Sequence, residues 1–577
     1  MTTFDKYPTV VVSEHKKGVW EGAKSIVKQL EMLAMQHRLI AIECYPGVDI
    51  QKLYHDIIQP LPVDEAICTE NLFYNEETIT DMIKNNLTDD DVFGSFSPHS
   101  LEEFLDNNKI KAVQEKIRNN QKKSMIIYGV GASLLAEEGV LIYADITRWE
   151  IEQRFRRGMS NWKANNQEDT MSRKHKRAYF FEWPLADRLK KKWLHKVDFW
   201  IDGNQIDHLK LISQEKYVQG LTQVISQPFR LVPFFAPGVW GGEWMREAFD
   251  LDKEEVNFAW SFNGVPEENS VYLQYGDCTI ELPANNLVFY YPTELLGNKV
   301  YGRFGREFPI RFNFLDTVQG QNLSLQVHPT TEYVHEAFGA HYTQDESYYV
   351  LQAEKEAVVY LGVKENVKKD EMIEDLKEAE AGNKTFDDEK FIHRMGIQKH
   401  DHYSIPGGTI HSQGKNSVVL EISSTPNIYT FKLWDWERVD LDGKPRPIHL
   451  HHGLNSIQWA RDEKWVKDHL RSPNQLIAKG EGWYEEKTGL HELEFIETRR
   501  HWFSTTVYHE THDSVNVLNL VEGEEAIVES INGEFEPFTV HYAETFIVPE
   551  HIKNYSIRPH GPSEGKTIAT IKAFVRV

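Results

Sequence analysis

The sequence predicts a multidomain α/β plus β protein. A front domain with a parallel sheet covered by helices is followed by two antiparallel β domains of barrel or jelly-roll type. Three observations lead there. From Met1 to about Arg230, short apolar strands alternate with charged stretches of helical period. From about Leu231 the pattern becomes strand-rich, with period-two alternation punctuated by Gly and Pro. A last strand-rich block starts near Glu492. The 577 residues accommodate three domains at about 100–200 residues each. Their expected bounds are 1–225, 226–491 and 492–577.

In the front domain, HRLIAIECYPGVD and KKSMIIYGVGASLL each read as a strand followed by a turn. KSIVKQLEMLAMQHR and LEEFLDNNKIKAVQEKIRNN read as helices, because apolar residues recur every three or four positions. Strands alternating with helices imply a parallel sheet with both faces covered. In the second domain RFNFLDT, NLSLQVHP, ESYYVLQAEKEAVVYLGV and NSVVLEISS read as strands, interrupted by a helical insertion at about 365–395 whose charge runs form a solvated face. STTVYHETHDSVNVLNLVEGEEAIVES and ETFIVPEHIKNYSIRP supply strands of the third domain.

Composition narrows the function classes. Lys and Arg total 64 against 88 Asp and Glu, a net charge of −24 that repels phosphate backbones, so no nucleic-acid partner is expected. The three cysteines, Cys44, Cys68 and Cys278, have no CxxC spacing and build neither a disulfide framework nor a thiolate zinc site. No run of 18 apolar residues occurs, so no membrane partner is expected. The opening MTTFDKYPTVVV lacks the basic-then-apolar pattern of a signal peptide, and the expected location is cytoplasmic.

The most informative stretch is Leu323 to Pro329. On a strand, Gln326 and His328 point the same way while Val327 packs behind them, and Pro329 marks the strand end. Glu346 opens the next apolar run, and SIPGGTIHS delivers His411 just after a Gly-Gly turn. On a shared barrel wall these four converge as two neutral nitrogens, a carboxylate and an amide oxygen, a set suited to a divalent ion of zinc type. Taken singly, each reads first as a polar residue satisfied by hydrogen bonds at a strand end; the four in this order, with turns between them, favour the metal set.

Here the chain resembles class I mannose-6-phosphate isomerase, a zinc-dependent cupin enzyme, from about residue 231 to the C-terminus. QVHP, the glutamate before an aromatic-rich strand and SIPGGTIH carry the resemblance. PGVWGGEWM, ELLGNKVYGRFGREFPIRFNFLD, LEISS and WDWERVDLDGKPRPIHL extend it in order. The resemblance implies two cupin domains, one Zn²⁺ per chain on Gln326, His328, Glu346 and His411, and a small sugar phosphate as substrate. It implies interconversion of mannose 6-phosphate and fructose 6-phosphate by proton transfer between C1 and C2. Glu421 matches an active-site glutamate and is the candidate for positioning or proton transfer. Asn313 stands where the family has lysine, with Arg311 two residues earlier on the same face. Lys432 stands where the family has arginine and loses the planar fork of a guanidinium. Arg311 and Lys432 thus join Glu421 as catalytic candidates, while Ser324, Asn313 and Arg438 are the substrate-binding candidates. Lys444 and Arg446 are further loop cations, and His449, His451 and His452 read as structural or exposed. These departures leave two alternatives: an isomerase of another sugar or sugar phosphate, and a non-catalytic sugar-binding or regulatory cupin protein.

In the front domain, LIAIECYPGVDIQKLYHDI has the strand–turn–helix shape of a phosphate-binding P-loop, but Ile50 replaces its lysine and Gln51 its hydroxyl residue. The later MIIYGVGASLL and GVLIYADITRWEIEQRFRRGM are similar to a strand and an arginine-rich lid of nucleoside and nucleoside-monophosphate kinases. The expectation is a degenerate kinase-like domain that scaffolds, dimerises or senses a ligand. Gly129, Val130 and Gly131 would let backbone approach a phosphate. The run Arg173, Lys174, His175, Lys176 and Arg177 is either an anion-binding lid or a solvated surface. Nucleotide binding is left open.

Overall fold

The structure, a computed structural model, describes residues 3–119, 124–135, 138–441, 443, 446–471, 474–489 and 491–576. The chain divides into two compact units. One comprises Thr9–Val224 with Ser270–Tyr290, the other Met1–Pro8, Ile225–Asn269 and Tyr291–Val577. Among the described residues no helix is long and apolar enough to cross a membrane.

The front unit is built on a seven-stranded sheet. Its order is Val19–Glu21, Lys210–Ser213, Phe199–Asp202, Val140–Asp145, Leu39–Cys44, Met125–Gly129 and Glu65–Cys68. The last five run parallel; Lys210–Ser213 runs against them and pairs antiparallel with both Phe199–Asp202 and Val19–Glu21. Leu39–Cys44, Met125–Gly129 and Val140–Asp145 are buried at every position, as strands covered on both faces must be. Helix Ala23–Gln36 contributes Ile26, Leu30 and Leu33 to that core at helical spacing.

Two details depart from the sequence pattern. LEEFLDNNKIKAVQEKIRNN is not one helix: a 3₁₀ turn over Leu101–Phe104 gives way to a helix over Asn107–Asn119. Asp106 restarts the chain there by accepting the backbone N–H groups of Asn108 and Lys109. The front unit also takes in Ser270–Tyr290, beyond the expected bound at 225. Ser270–Tyr275 pairs in parallel with Thr9–Ser13, and the Asn286 amide binds Asp145 and Tyr217. Pairings this remote in sequence leave no local signature.

The second unit holds two pairs of packed antiparallel sheets. In the first pair, a six-stranded sheet runs His402–Ile405, Glu346–Ala353, Ser417–Ser424, Ile310–Asp316, Trp260–Gly264, Phe234–Ala236. Facing it is a five-stranded sheet of Ile392–Gly396, Val358–Val363, His411–Gln413, Leu325–Val327 and Phe431–Trp434. Leu315, Val350 and Val419 of one meet Val359 and Leu361 of the other in a shared core. In the second pair, six- and four-stranded sheets enclose Phe503, Leu518, Val528, Phe546 and Tyr555. The helical insertion is present as Lys369–Glu380 and Asp388–Phe391; it buries Met372, Leu376 and Ala379 at i, i+4 and i+7.

Candidate metal centre

The site follows from strand register. In the six-stranded sheet Asn313 lies opposite Glu421, Arg311 opposite Ser423, and Glu346 opposite Ser423 on the other side. Alternation therefore puts Arg311, Asn313, Glu346 and Glu421 on the face that carries Leu315, Val350 and Val419 into the core. That face is apolar at one end and charged at the other. In the five-stranded sheet Gln326 lies opposite both His411 and Lys432, with His328 two residues along. The polar halves of the two inner faces meet.

At the meeting point His328, Glu346 and His411 are almost completely buried, and a ligand atom from each lies within 4.8 Å of the others. Glu346 is 3.2 Å from Nε2 of His328 and 2.9 Å from Nε2 of His411. Each ring's other nitrogen faces a backbone carbonyl: Nδ1 of His411 lies 2.9 Å from Thr409 O, and Nδ1 of His328 lies 3.3 Å from Tyr429 O. Those bonds place the proton on Nδ1 of a neutral ring and leave Nε2 as a lone pair. Two lone pairs then face a carboxylate in a dry interior, which a cation between them would satisfy. The donor set thus fits a divalent metal of borderline softness. Gln326 points its amide nitrogen at Nε2 of His411 (3.2 Å), while its oxygen accepts the Ser324 hydroxyl (3.0 Å). Half a turn of that amide would bring the oxygen to the centre.

Burial alone would raise Glu346, but with no metal bound the positive charge and hydrogen bonds of His328 and His411 in their protonated forms hold it at about 2. Burial foremost, then the negative charge of Glu346, pushes Glu421 up to about 7, while a hydrogen bond from Asn313 opposes the rise. Two carboxylates of different proton affinity thus share one pocket, the arrangement that general acid–base chemistry requires. Gln344, which the sequence patterns did not single out, bridges them with its amide nitrogen 3.3 Å from each. Its position two residues before Glu346 is the available signal.

The cations differ in how they are spent. Arg311 is 2% exposed and 3.2 Å from Glu268, another residue the patterns missed. Burial opposes its charge, but Glu268, Glu267 and Glu421 outweigh burial and hold it above the ordinary arginine range. Lys432 is half-buried; desolvation first, and Arg446 next, lowers its amine to about 8. Arg438 is committed to the carbonyls of Asp435 and Asn322 and to the Asp435 carboxylate. Arg446 pairs with Asp435 at 2.7 Å. Lys444 lies outside the described residues. His449 starts the helix Leu450–Ser456 and accepts the Lys432 N–H, and His452 bonds Tyr333 at 2.9 Å.

A family model described only as a domain of unknown function (DUF8485) matches residues 22–226. The later part of the chain is similar to curated proteins. The putative mannose-6-phosphate isomerase YvyI of Bacillus subtilis is 26% identical over 257 residues, 44% of this chain and 75% of that protein. The mannose-6-phosphate isomerase ManA of the same organism is 24% identical over 238 residues, 40% of this chain and 69% of that protein. Among solved structures, a mannose 6-phosphate isomerase from Bacillus subtilis aligns with a TM-score of 0.48 at 18% identity, covering 60% of this chain and 99% of that one.

Proposed function

We propose that the chain is a metal-dependent aldose–ketose isomerase that interconverts mannose 6-phosphate and fructose 6-phosphate. The observation that carries this reading is the buried His328–Glu346–His411 centre, with its lone pairs facing inward and Glu421 on the same sheet face. The curated relatives named for this activity support it. His328, Glu346 and His411, with Gln326 as a fourth donor, would hold a zinc ion, which would supply Lewis acidity without redox chemistry.

The chain's own residues do the rest. Glu421 takes the proton from one carbon and returns it to the next, a task suited to a carboxyl held near neutrality. Asn313 and Gln344 hold that carboxyl in place. Arg311 supplies fixed positive charge behind it, and Lys432 the charge that meets the anionic substrate. Asn313 and Lys432 favour one secondary reading, an isomerase of another sugar phosphate. We read the β unit as two cupin domains meeting near residue 491, working in the cytoplasm. The front unit is read as a degenerate kinase-like domain, supported by its central strand Leu39–Cys44 with a turn and helix after it.

Metal analysis of the purified protein, run beside a coupled assay from mannose 6-phosphate, tests the reading. Stoichiometric metal together with turnover is expected. Metal without turnover on any hexose phosphate would refute it.

A further inference from the structure

The front unit contains a cavity of about 1110 Å³ at the carboxyl ends of its parallel strands. It is lined by the turn after Leu39–Cys44, by residues that follow Glu65–Cys68 and Met125–Gly129, and by helix Arg148–Arg156. Open α/β sheets bind ligands at this edge, so the question is which chemistry the lining accepts.

The phosphate-holding features that the sequence singled out, the Gly129–Gly131 nest and the helix start after Tyr45–Asp49, are already used. The backbone N–H of Val130 donates to Glu70, and those of Gly131 and Ser133 donate to Glu43 at 2.7 and 2.8 Å. The nest around Gly129–Gly131 is thus filled by the chain's own carboxylates. The helix after the Tyr45–Asp49 turn is capped by Asp49, which accepts the Lys52 N–H at 2.9 Å and puts negative charge where an anion would sit. Arg154 is a strut: it donates to the carbonyls of Gly47, Gly203 and Asn204 and pairs with Glu150 at 3.0 Å. Arg157, the other lining arginine, also pairs with Glu150. Four lining carboxylates, Asp49, Glu70, Glu150 and Asp207, outnumber these two arginines.

What stays available is neutral. Among the described residues, the side-chain amides of Gln51, Asn71 and Gln205 line the cavity, are exposed to solvent and make no hydrogen bond within the chain. The Ser160 hydroxyl is buried there without a partner. Val48, Met159, Trp162 and Ile206 form an apolar wall. Amides present a planar donor–acceptor pair to vicinal hydroxyls, and an apolar wall covers the C–H faces between them.

We propose that this cavity binds an uncharged polyhydroxylated small molecule, with an unphosphorylated hexose as the favoured occupant, and excludes phosphate esters and nucleoside triphosphates. The proposal stands apart from the isomerase reading, because it rests on the front unit's own residues.

Calorimetric titration of the full chain with mannose, fructose, adenosine, uridine, mannose 6-phosphate and ATP–Mg²⁺ tests it. Three proteins are compared: the parent, His328→Ala, and Gln51→Ala/Gln205→Ala, each checked for folding by circular dichroism. The expected result is 1:1 binding of a neutral hexose that persists in His328→Ala and weakens by about tenfold or more in the double variant, a loss of at least ~1.4 kcal/mol. The same pattern with a nucleoside and not a hexose supports the class and identifies ribose as the polyol. A phosphate ester or ATP–Mg²⁺ that binds more tightly than its neutral counterpart in His328→Ala overturns the proposal. So does a neutral ligand unaffected by the double variant, or none binding at millimolar concentration.

Discussion

Replacing Glu346 by Gln should change stability in opposite directions with and without metal. In the metal-free parent, Nε2 of His328 and of His411 face the Glu346 carboxylate at 3.2 and 2.9 Å, acceptor against acceptor once the rings are neutral. The substituted side chain would place an amide N–H₂ there, which can donate to one ring. Satisfying a buried polar group of this kind is worth about 1–3 kcal/mol, so the metal-free variant should be the more stable protein. With metal the order reverses. A site filled at 100 times its dissociation constant stabilises the parent by about 2.7 kcal/mol, and the variant, lacking the anionic ligand, should gain almost nothing. Urea unfolding at pH 8, in chelator and in saturating Zn²⁺, measures both differences. Burial opposes protonation of His328, yet Glu346 raises it above the ordinary imidazole value. Its ion-pair contribution is therefore complete below the unfolded imidazole pKa and is lost as pH rises through the folded one. The variant's advantage in chelator should accordingly grow as pH rises through the folded His328 value. A parent insensitive to chelator, or a variant that keeps stoichiometric metal, would refute the assignment.

Other expectations follow from the same geometry. Glu421→Gln should lower kcat by about 10²–10⁴ while metal content by elemental analysis stays unchanged. Because the Lys432 amine is held at about 8 by desolvation and Arg446, it is charged below that pH and neutral above. A pH profile of kcat/KM should therefore fall above pH 8, and Lys432→Arg should remove the fall. Lys432→Met should cost about ten- to a hundredfold in kcat/KM, the value of a charged hydrogen bond. In the front unit, Gly47 has φ +108°, and an added Cβ would lie 2.7 Å from the Ile151 side chain. Gly47→Ala should destabilise this unit by about 1–3 kcal/mol in urea unfolding.

Much of the candidate metal centre was legible because the convergence of its residues depends on short-range regularities. Period-two alternation aligns Gln326 with His328, and the Gly-Gly turn leads directly into His411. Glu421 sits mid-strand, opposite Asn313, where the alternation of VVLEISS points it inward. Gln344, Glu268, and the Thr409 and Tyr429 carbonyls carried no such pattern. Each acts through one contact across a distance in sequence that no periodicity spans. The run Arg173 to Arg177 shows the limit from the other side. It is not a uniformly solvated face: Lys174 is buried on the Phe155 and Gln167 carbonyls and Arg177 meets Glu182, while the exposed Arg173 meets Asp91.

By itself, the sequence determined which donors exist and which strands carry them, and that Ile50 and Gln51 stand where a phosphate-binding loop would need a lysine and a hydroxyl. Those are properties of residue type and local spacing. Only the tertiary structure decided how each polar group is spent. It turned the histidine lone pairs towards Glu346, filled the Gly129–Gly131 nest with Glu43 and Glu70, and made Arg154 a strut. The physical reason is that a buried donor or charge takes whichever partner packing brings within about 3 Å. That partner is chosen by the fold as a whole.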